Sequence, residues 1–170
     1  MGDFRPIITD TDIVTDAVER SFEILARQAA ATTAVFGQEK LKADLADAFI
    51  ECADGYEMAK HLERCGWQGM DAAGVTALGA ARTVLESAHR RAVRAWVQRV
   101  GLRPGHQLGD EVDFVLGARL WKGKIIEIFE QEGCYLVFST ALNAETKPSR
   151  SPLLPWEQVD HLSPATQSNN

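Results

Sequence analysis

The stretch Trp121-Lys122-Gly123-Lys124-Ile125-Ile126-Glu127-Ile128-Phe129 is the clearest structural signal in this chain of 170 residues. Its β-branched and aromatic residues favour an extended strand. Glu132-Gly133 then supplies a turn signal, and Cys134-Tyr135-Leu136-Val137-Phe138 resumes the same composition. Two such runs joined by a short loop that contains glycine predict a β-hairpin. The rest of the fold is predicted outward from this hairpin.

Further short strands are expected on both sides of the hairpin. We predict strands at about 111–116, 121–129, 134–139, 152–154 and 159–162, with a polar loop over 140–150. Trp156-Glu157-Gln158 is predicted to form a single helical turn before the last strand. Five short strands with a turn of helix before the fifth is the order of an SH3-like barrel.

The residues before the predicted barrel have helical periodicity. Apolar residues recur every three or four positions from Val14 onward, again after Gly37 and again after Asp71. This spacing places them on one face of an amphipathic helix. We predict helices at about 12–33, 38–65 and 71–100. Asp54-Gly55 is also a turn signal, but the apolar phase continues across it and favours one helix over two.

The change of periodicity places a domain boundary at Pro104-Gly105, because both residues disfavour helix. The predicted fold class is α+β, with an N-terminal three-helix domain over 1–103 and a small five-stranded SH3-like β-barrel over 104–162. The polar residues 163–170 are expected to form a disordered tail.

Four groups of residues in the predicted barrel form a recognisable frame: Gly109-Asp110-Glu111-Val112, Gly117-Ala118 with Trp121-Lys122-Gly123-Lys124-Ile125-Ile126, Tyr135-Leu136-Val137, and Pro155 with Leu162. In these residues the predicted barrel resembles that of one known family, the plasmid-borne type II dihydrofolate reductases of trimethoprim resistance. The matching residues extend over about a third of the chain. The resemblance implies an SH3-like barrel, and members of that family assemble as tetramers around a single active-site pore.

The catalytic segment of that family is not matched. The family has Val-Gln-Ile-Tyr before the proline, whereas Ser151-Pro152-Leu153-Leu154 precedes Pro155 in this chain. Val115 stands near the position of the family's pore lysine. The resemblance therefore implies the barrel without the reductase chemistry, and no cofactor is expected.

Composition and charge are those of an ordinary globular protein. The formal net charge is −6, and no apolar run reaches the roughly 18 residues that a membrane helix needs. The first residues do not have the pattern of a signal peptide. Three cysteines are an odd number, which argues against a disulfide framework. A cytoplasmic protein with no membrane partner is expected.

Aromatic residues of the predicted barrel form one candidate binding site. Trp121, Tyr135 and Trp156, with Lys122 beside them, are the residue types that line grooves for peptides or methylated side chains in SH3-like modules. The same aromatic residues serve equally well as barrel core. Both interpretations stay open from the sequence.

The third predicted helix is the one basic segment, with six arginines against two carboxylates between residues 70 and 103. Arg90 and Arg94 share a face, with Arg91 beside them, and this basic face could meet the phosphates of nucleic acid. The arginines of this helix would also complement the C-terminal end of its dipole. In a third interpretation, Arg90, Arg94 and Arg99 dock on acidic residues of the barrel or of a second subunit.

Acidic residues Asp110, Glu111 and Asp113 lie near the first barrel loop. A solvated turn is one interpretation and recognition of a basic peptide is the other. His61 and Cys65 have a spacing that suits a metal, but Cys52 lies on another side of the predicted helix, so no metal site is expected.

The sequence contains no complete catalytic constellation, and the predicted function is that of a non-catalytic binding or assembly protein. The helices would self-associate as a homodimer or tetramer, and the barrel would recognise a protein or peptide. One alternative is an oligomeric pore-type enzyme related to type II dihydrofolate reductase with an altered substrate. A second is nucleic-acid binding through Arg90, Arg91 and Arg94.

Overall fold

The computed structural model describes residues 4–26, 29, 36–145 and 151–162. Within these residues it contains six helices and four strands. In chain order they are α1 (Thr11–Ile24), α2 (Gln38–Glu51), α3 (Gly55–Arg64), α4 (Ala72–Val100), β1 (Glu111–Leu116), β2 (Arg119–Phe129), β3 (Cys134–Phe138), α5 (Thr140–Glu145), β4 (Leu153–Pro155) and α6 (Trp156–Leu162).

The chain divides into two compact units, Met1–Ala92 and Val93–Asn170. The first is helical and the second contains the sheet, which confirms the prediction of a mixed helix and sheet protein. The break between the units falls within α4, whereas the periodicity of the sequence placed the boundary at Pro104-Gly105.

The helices of the first unit bury one apolar core. α4 agrees with the helix predicted over 71–100, and Asp71 precedes it with a side chain that accepts a hydrogen bond from the backbone of Gly74. Of the helix predicted over 12–33, α1 confirms the first part, and most of the rest lies outside the described residues. The largest fully buried side chains of this core are Leu25, Leu41, Leu45, Phe49, Met58, Leu62, Leu78 and Leu85.

The single helix predicted over 38–65 is two helices, α2 and α3. Cys52 is extended, and the Asp54 side chain caps α3 by accepting hydrogen bonds of 2.9 Å from the backbone of Tyr56 and Glu57. A Cβ at Gly55 would lie 2.7 Å from the Val75 carbonyl oxygen, so glycine permits this close approach to α4. Asp54-Gly55 is therefore a helix start, and the continuous apolar phase was misleading.

The second unit contains an antiparallel sheet in the order β1-β2-β3-β4, curled into a half-barrel. Side chains alternate between the two faces, and the concave face carries the core. A bulge in β2 between Ile125 and Glu127 interrupts the pairing with β3, and bulges of this kind bend a strand. The core on this inner face consists of Val112, Phe114, Ile125, Tyr135, Val137, Leu142, Leu154, Trp156 and Val159.

The strand predicted at 159–162 is wrong, because these residues continue α6. Trp156 and Val159 are three residues apart and both fully buried, which is the spacing of a helical face. The Gln158 Nε2 atom donates a hydrogen bond of 2.8 Å to the Val115 carbonyl oxygen on the free edge of β1. The helix thus supplies the edge of β1 with a partner that the fifth strand was expected to supply.

The polar loop predicted over 140–150 begins with a helix, α5. The Ser139 hydroxyl accepts a hydrogen bond of 3.3 Å from the Leu142 backbone, and Leu142 is buried in the core. Residues 146–150 and the predicted tail 163–170 lie outside the described residues.

Replacing Gly123 with alanine is expected to lower the free energy of unfolding of the second unit by about 1–3 kcal/mol through overpacking. A Cβ at this position would lie 2.5 Å from Val137 Cγ1 and 2.8 Å from the Phe138 carbonyl oxygen. Urea denaturation measures the change. Gly79→Ala in α4 is the control, because its Cβ would meet nothing within 4 Å and alanine favours helix by about 0.5–1 kcal/mol. Equal stability changes for the two variants would contradict this packing account.

Candidate functional site

The structure does not bring the four predicted groove residues to one surface. Tyr135 and Trp156 are fully buried, with ring centroids 5.9 Å apart, and Trp121 packs against the same core from β2. Lys122 follows Trp121 in the strand and therefore points to the opposite face, where its side chain is 85% exposed. The aromatic residues belong to the inner face and Lys122 to the outer one.

Tyr135 connects three segments of the second unit. Its hydroxyl accepts a hydrogen bond of 3.0 Å from the His106 backbone and donates one of 3.1 Å to Asp160 Oδ1. The other carboxylate oxygen of Asp160 accepts a hydrogen bond of 3.1 Å from the Gly105 backbone. Burial, joined by the nearby carboxylate, raises the pKa of Tyr135 to about 12. This residue therefore holds β3, α6 and the segment before β1 together.

The predicted basic face is partly occupied by carboxylates. Arg91 Nη2 lies 2.8 Å from Asp16 Oδ2, and Arg94 Nη2 lies 2.6 Å from Glu132 Oε1. Arg94 and Glu132 both belong to the second unit, so the second contact is an ion pair within that unit. Arg90 is exposed. Nucleic-acid binding through these residues stays a prediction.

The outer face of the sheet carries a charged band that we define as Glu111, Asp113, Lys122 and Lys124. Cross-strand pairing places Glu111 opposite Lys124 and Asp113 opposite Lys122. The Lys122 ammonium lies 2.9 Å from Asp113 Oδ1, and this hydrogen bond and charge raise the pKa of Lys122. The band forms one wall of an open groove of about 640 Å³ that also contains Phe138 and Thr140.

Apolar side chains on the same face are exposed next to the charged band. Leu120 is 63% exposed, and Phe138, which is paired with Lys124, is 44% exposed. Leu153 is 53% exposed but lies on β4, two strands away from β2. Val115 lies opposite Leu120 on β1 and is half-buried. A surface on which exposed apolar side chains adjoin charged ones is typical of protein interaction sites.

Sequence reasoning found Lys122, Glu111 and Asp113 but did not group them with Lys124. The sequence does contain the information needed for this grouping, because Gly117-Ala118 can form a two-residue hairpin turn, which fixes the pairing of the two strands. Counting outward from that turn pairs each acidic residue with a lysine. The prediction grouped Lys122 with Trp121, its neighbour along the chain, instead of with Asp113, its neighbour across the sheet.

Comparison of the chain with protein-family models, curated proteins and solved structures gives no significant match. The resemblance of the barrel to type II dihydrofolate reductases therefore stays a prediction. Within the described residues, His, Cys, Asp and Glu side chains form no group of three or more that could hold a metal ion. None of the helices described has the length and apolar character of a membrane span.

Tyr135→Phe is expected to lower the free energy of unfolding at about pH 8 by about 1–3 kcal/mol, because the buried backbone N–H of His106 and the partly buried carboxylate of Asp160 lose the hydroxyl. The folded-state pKa of about 12 lies above the ordinary value of 10. The neutral phenol therefore stabilises the fold below about pH 10, and this contribution is lost as the pH rises towards about 12. Urea denaturation at about pH 8 and pH 11 should show the alkaline loss in the natural chain and a smaller loss in the variant.

Tyr56→Phe is the matched control for this measurement, because Tyr56 is 56% exposed and is the only other tyrosine of the chain. It should retain the alkaline loss of the natural protein. An alkaline loss that is the same in all three proteins would show that Tyr135 is not its source.

Proposed function

We propose that this chain is a non-catalytic binding or assembly protein that recognises a protein through the outer face of its β-sheet. The observation that carries the proposal is the exposure of Leu120 and Phe138 beside the charged band. Burying these side chains against a partner would be favourable by about 25 cal/mol per Å² of apolar surface. The charged residues would then set orientation and specificity.

A protein partner suits this face better than a small molecule. Small-molecule sites are enclosed and mostly apolar, whereas the groove on the outer face is open and has charged side chains along its wall. The aromatic side chains that could enclose a ligand, Tyr135 and Trp156, are packed in the core. We accordingly propose the outer face, which contains Lys122, as the protein-binding site in place of the aromatic residues.

We also propose that the second unit is a variant of the SH3-like barrel. Three features support this assignment: the strand order, the bulge in β2, and the helix that follows the short β4 at Pro155. In this proposal α6 occupies the position of the last strand, and Gln158 makes the hydrogen bond to β1.

A photo-crosslinking residue at Leu120 is expected to trap a protein partner in cells that express the full chain. The control places the same residue at Leu108, which is 66% exposed but lies in the loop before β1, whereas Leu120 is 63% exposed. Adducts separated by electrophoresis and identified by mass spectrometry should come from position 120 and not from position 108. Equal adducts from the two positions, or none from position 120, would contradict the proposal.

A further inference from the structure

The outer face of β1 and β2 is arranged as a ladder of three cross-strand pairs. All the acidic side chains of the ladder are on β1 and all the lysines on β2. We call Glu111 and Asp113 the acidic row, and Lys122 and Lys124 the lysine row. The pairs are Glu111 with Lys124, Asp113 with Lys122, and Val115 with Leu120.

We propose that this ladder binds the same ladder of a second copy of the chain, about a two-fold axis that runs parallel to the strands midway between β1 and β2. The proposal rests on the proposed function and names its partner. Rotation about such an axis exchanges β1 with β2 and leaves each pair at the same height along the strands. The acidic row of each copy then lies over the lysine row of the other.

The same rotation brings the apolar pair of each copy together. Val115 of each copy would lie over Leu120 of the other, because these residues are also directly opposite each other. Two antiparallel sheets commonly pack face to face at about 10 Å with nearly aligned strands. A two-fold interface of this kind uses one surface twice and closes on itself. The face therefore complements itself in charge and in apolar character.

Charge complementarity favours a second copy over a strongly charged partner. The charged band contains two carboxylates and two ammonium groups, so its formal charge is balanced. A basic peptide would meet the lysine row unfavourably, and an acidic peptide would meet the acidic row unfavourably. A partner with the two rows exchanged satisfies both, and a copy related by this axis has that arrangement.

The apolar side chains would supply most of the affinity. The ion pair between Lys122 and Asp113 is exposed, and exposed ion pairs contribute little to stability. Leu120 and Phe138 present apolar surface that association removes from water. The two rows would instead decide which copies associate and in which orientation, because like charges brought together are strongly unfavourable.

Reversing one row tests the interface in the full chain. The variant K122E/K124E has an all-acidic band, and the variant E111K/D113K has an all-basic band. Each alone should have a dimer dissociation constant at least about 100-fold above that of the natural chain. An equimolar mixture of the two should form a heterodimer. Sedimentation equilibrium measures the masses, and R119E is the control.

Arg119 suits this control because it lies on β2 as well, and its ion pair with Glu145 is outside the charged band. R119E should have the dissociation constant of the natural chain. Circular dichroism checks that each variant is folded, because row reversal also places like charges opposite each other within one copy.

Exchanging both rows avoids placing like charges opposite each other within one copy of the chain. The fourfold variant E111K/D113K/K122E/K124E keeps an acid opposite a lysine at each level of the band. It should form homodimers as the natural chain does, but it should not form heterodimers with the natural chain, because equal charges would then face each other. Native mass spectrometry of a mixture in which one chain is isotope-labelled separates the three dimers.

A statistical mixture that contains the heterodimer would overturn the proposal, and so would row-reversed variants that remain dimers alone. A natural chain that stays monomeric at concentrations up to about 1 mM, a very weak affinity, would overturn it as well. This last result leaves the proposed function intact if the residue at position 120 still crosslinks to a different protein. A crosslinked adduct from position 120 with twice the mass of this chain would support both the proposed function and the two-fold interface.

Discussion

The two-residue turn at Gly117 and Ala118 is the constraint on which the second unit depends. Leu116 and Arg119 are paired directly beside it, and Gly117 has φ 64°, the conformation of the first central residue in a type II′ turn. This turn sets the register between β1 and β2. A slip of one residue would turn the side chains of one strand to the opposite face. It would also separate the acidic row from the lysine row.

The same register serves the inner face of the half-barrel. Gly123 lies opposite Val112 and leaves room for Val137, while Phe114 lies opposite Trp121. Tyr135 joins this core to the segment before β1 and to Asp160 of α6. The inner face accounts for the core of the second unit, and the proposed recognition uses the side chains of the outer face.

The sequence predicts the elements whose pattern fits only one structure. β-branched residues around Gly117 and Gly133 permit a hairpin and little else, and the apolar periodicity of α4 continues for its whole length. The exchange of the fifth strand for α6 was not predictable, because Val159 fits both a strand and a helical face. The position of Lys122 required the register across the sheet, which neighbours along the chain do not reveal. The break before α3 was not predicted, because the apolar periodicity of α2 continues in phase into α3. That continuity outweighed the turn signal of Asp54-Gly55.

Lysine labelling of the unmodified chain tests most directly whether the outer face is covered by a partner. Lys122 is 85% exposed in the single chain, and Lys60 of α3 is an exposed internal reference. Labelling by an amine-reactive reagent, quantified by mass spectrometry over a series of protein concentrations, reports the accessibility of each lysine. The account predicts that Lys122 and Lys124 become protected relative to Lys60 as the concentration rises. Constant relative labelling while the chain associates would contradict it, because association would then use another surface.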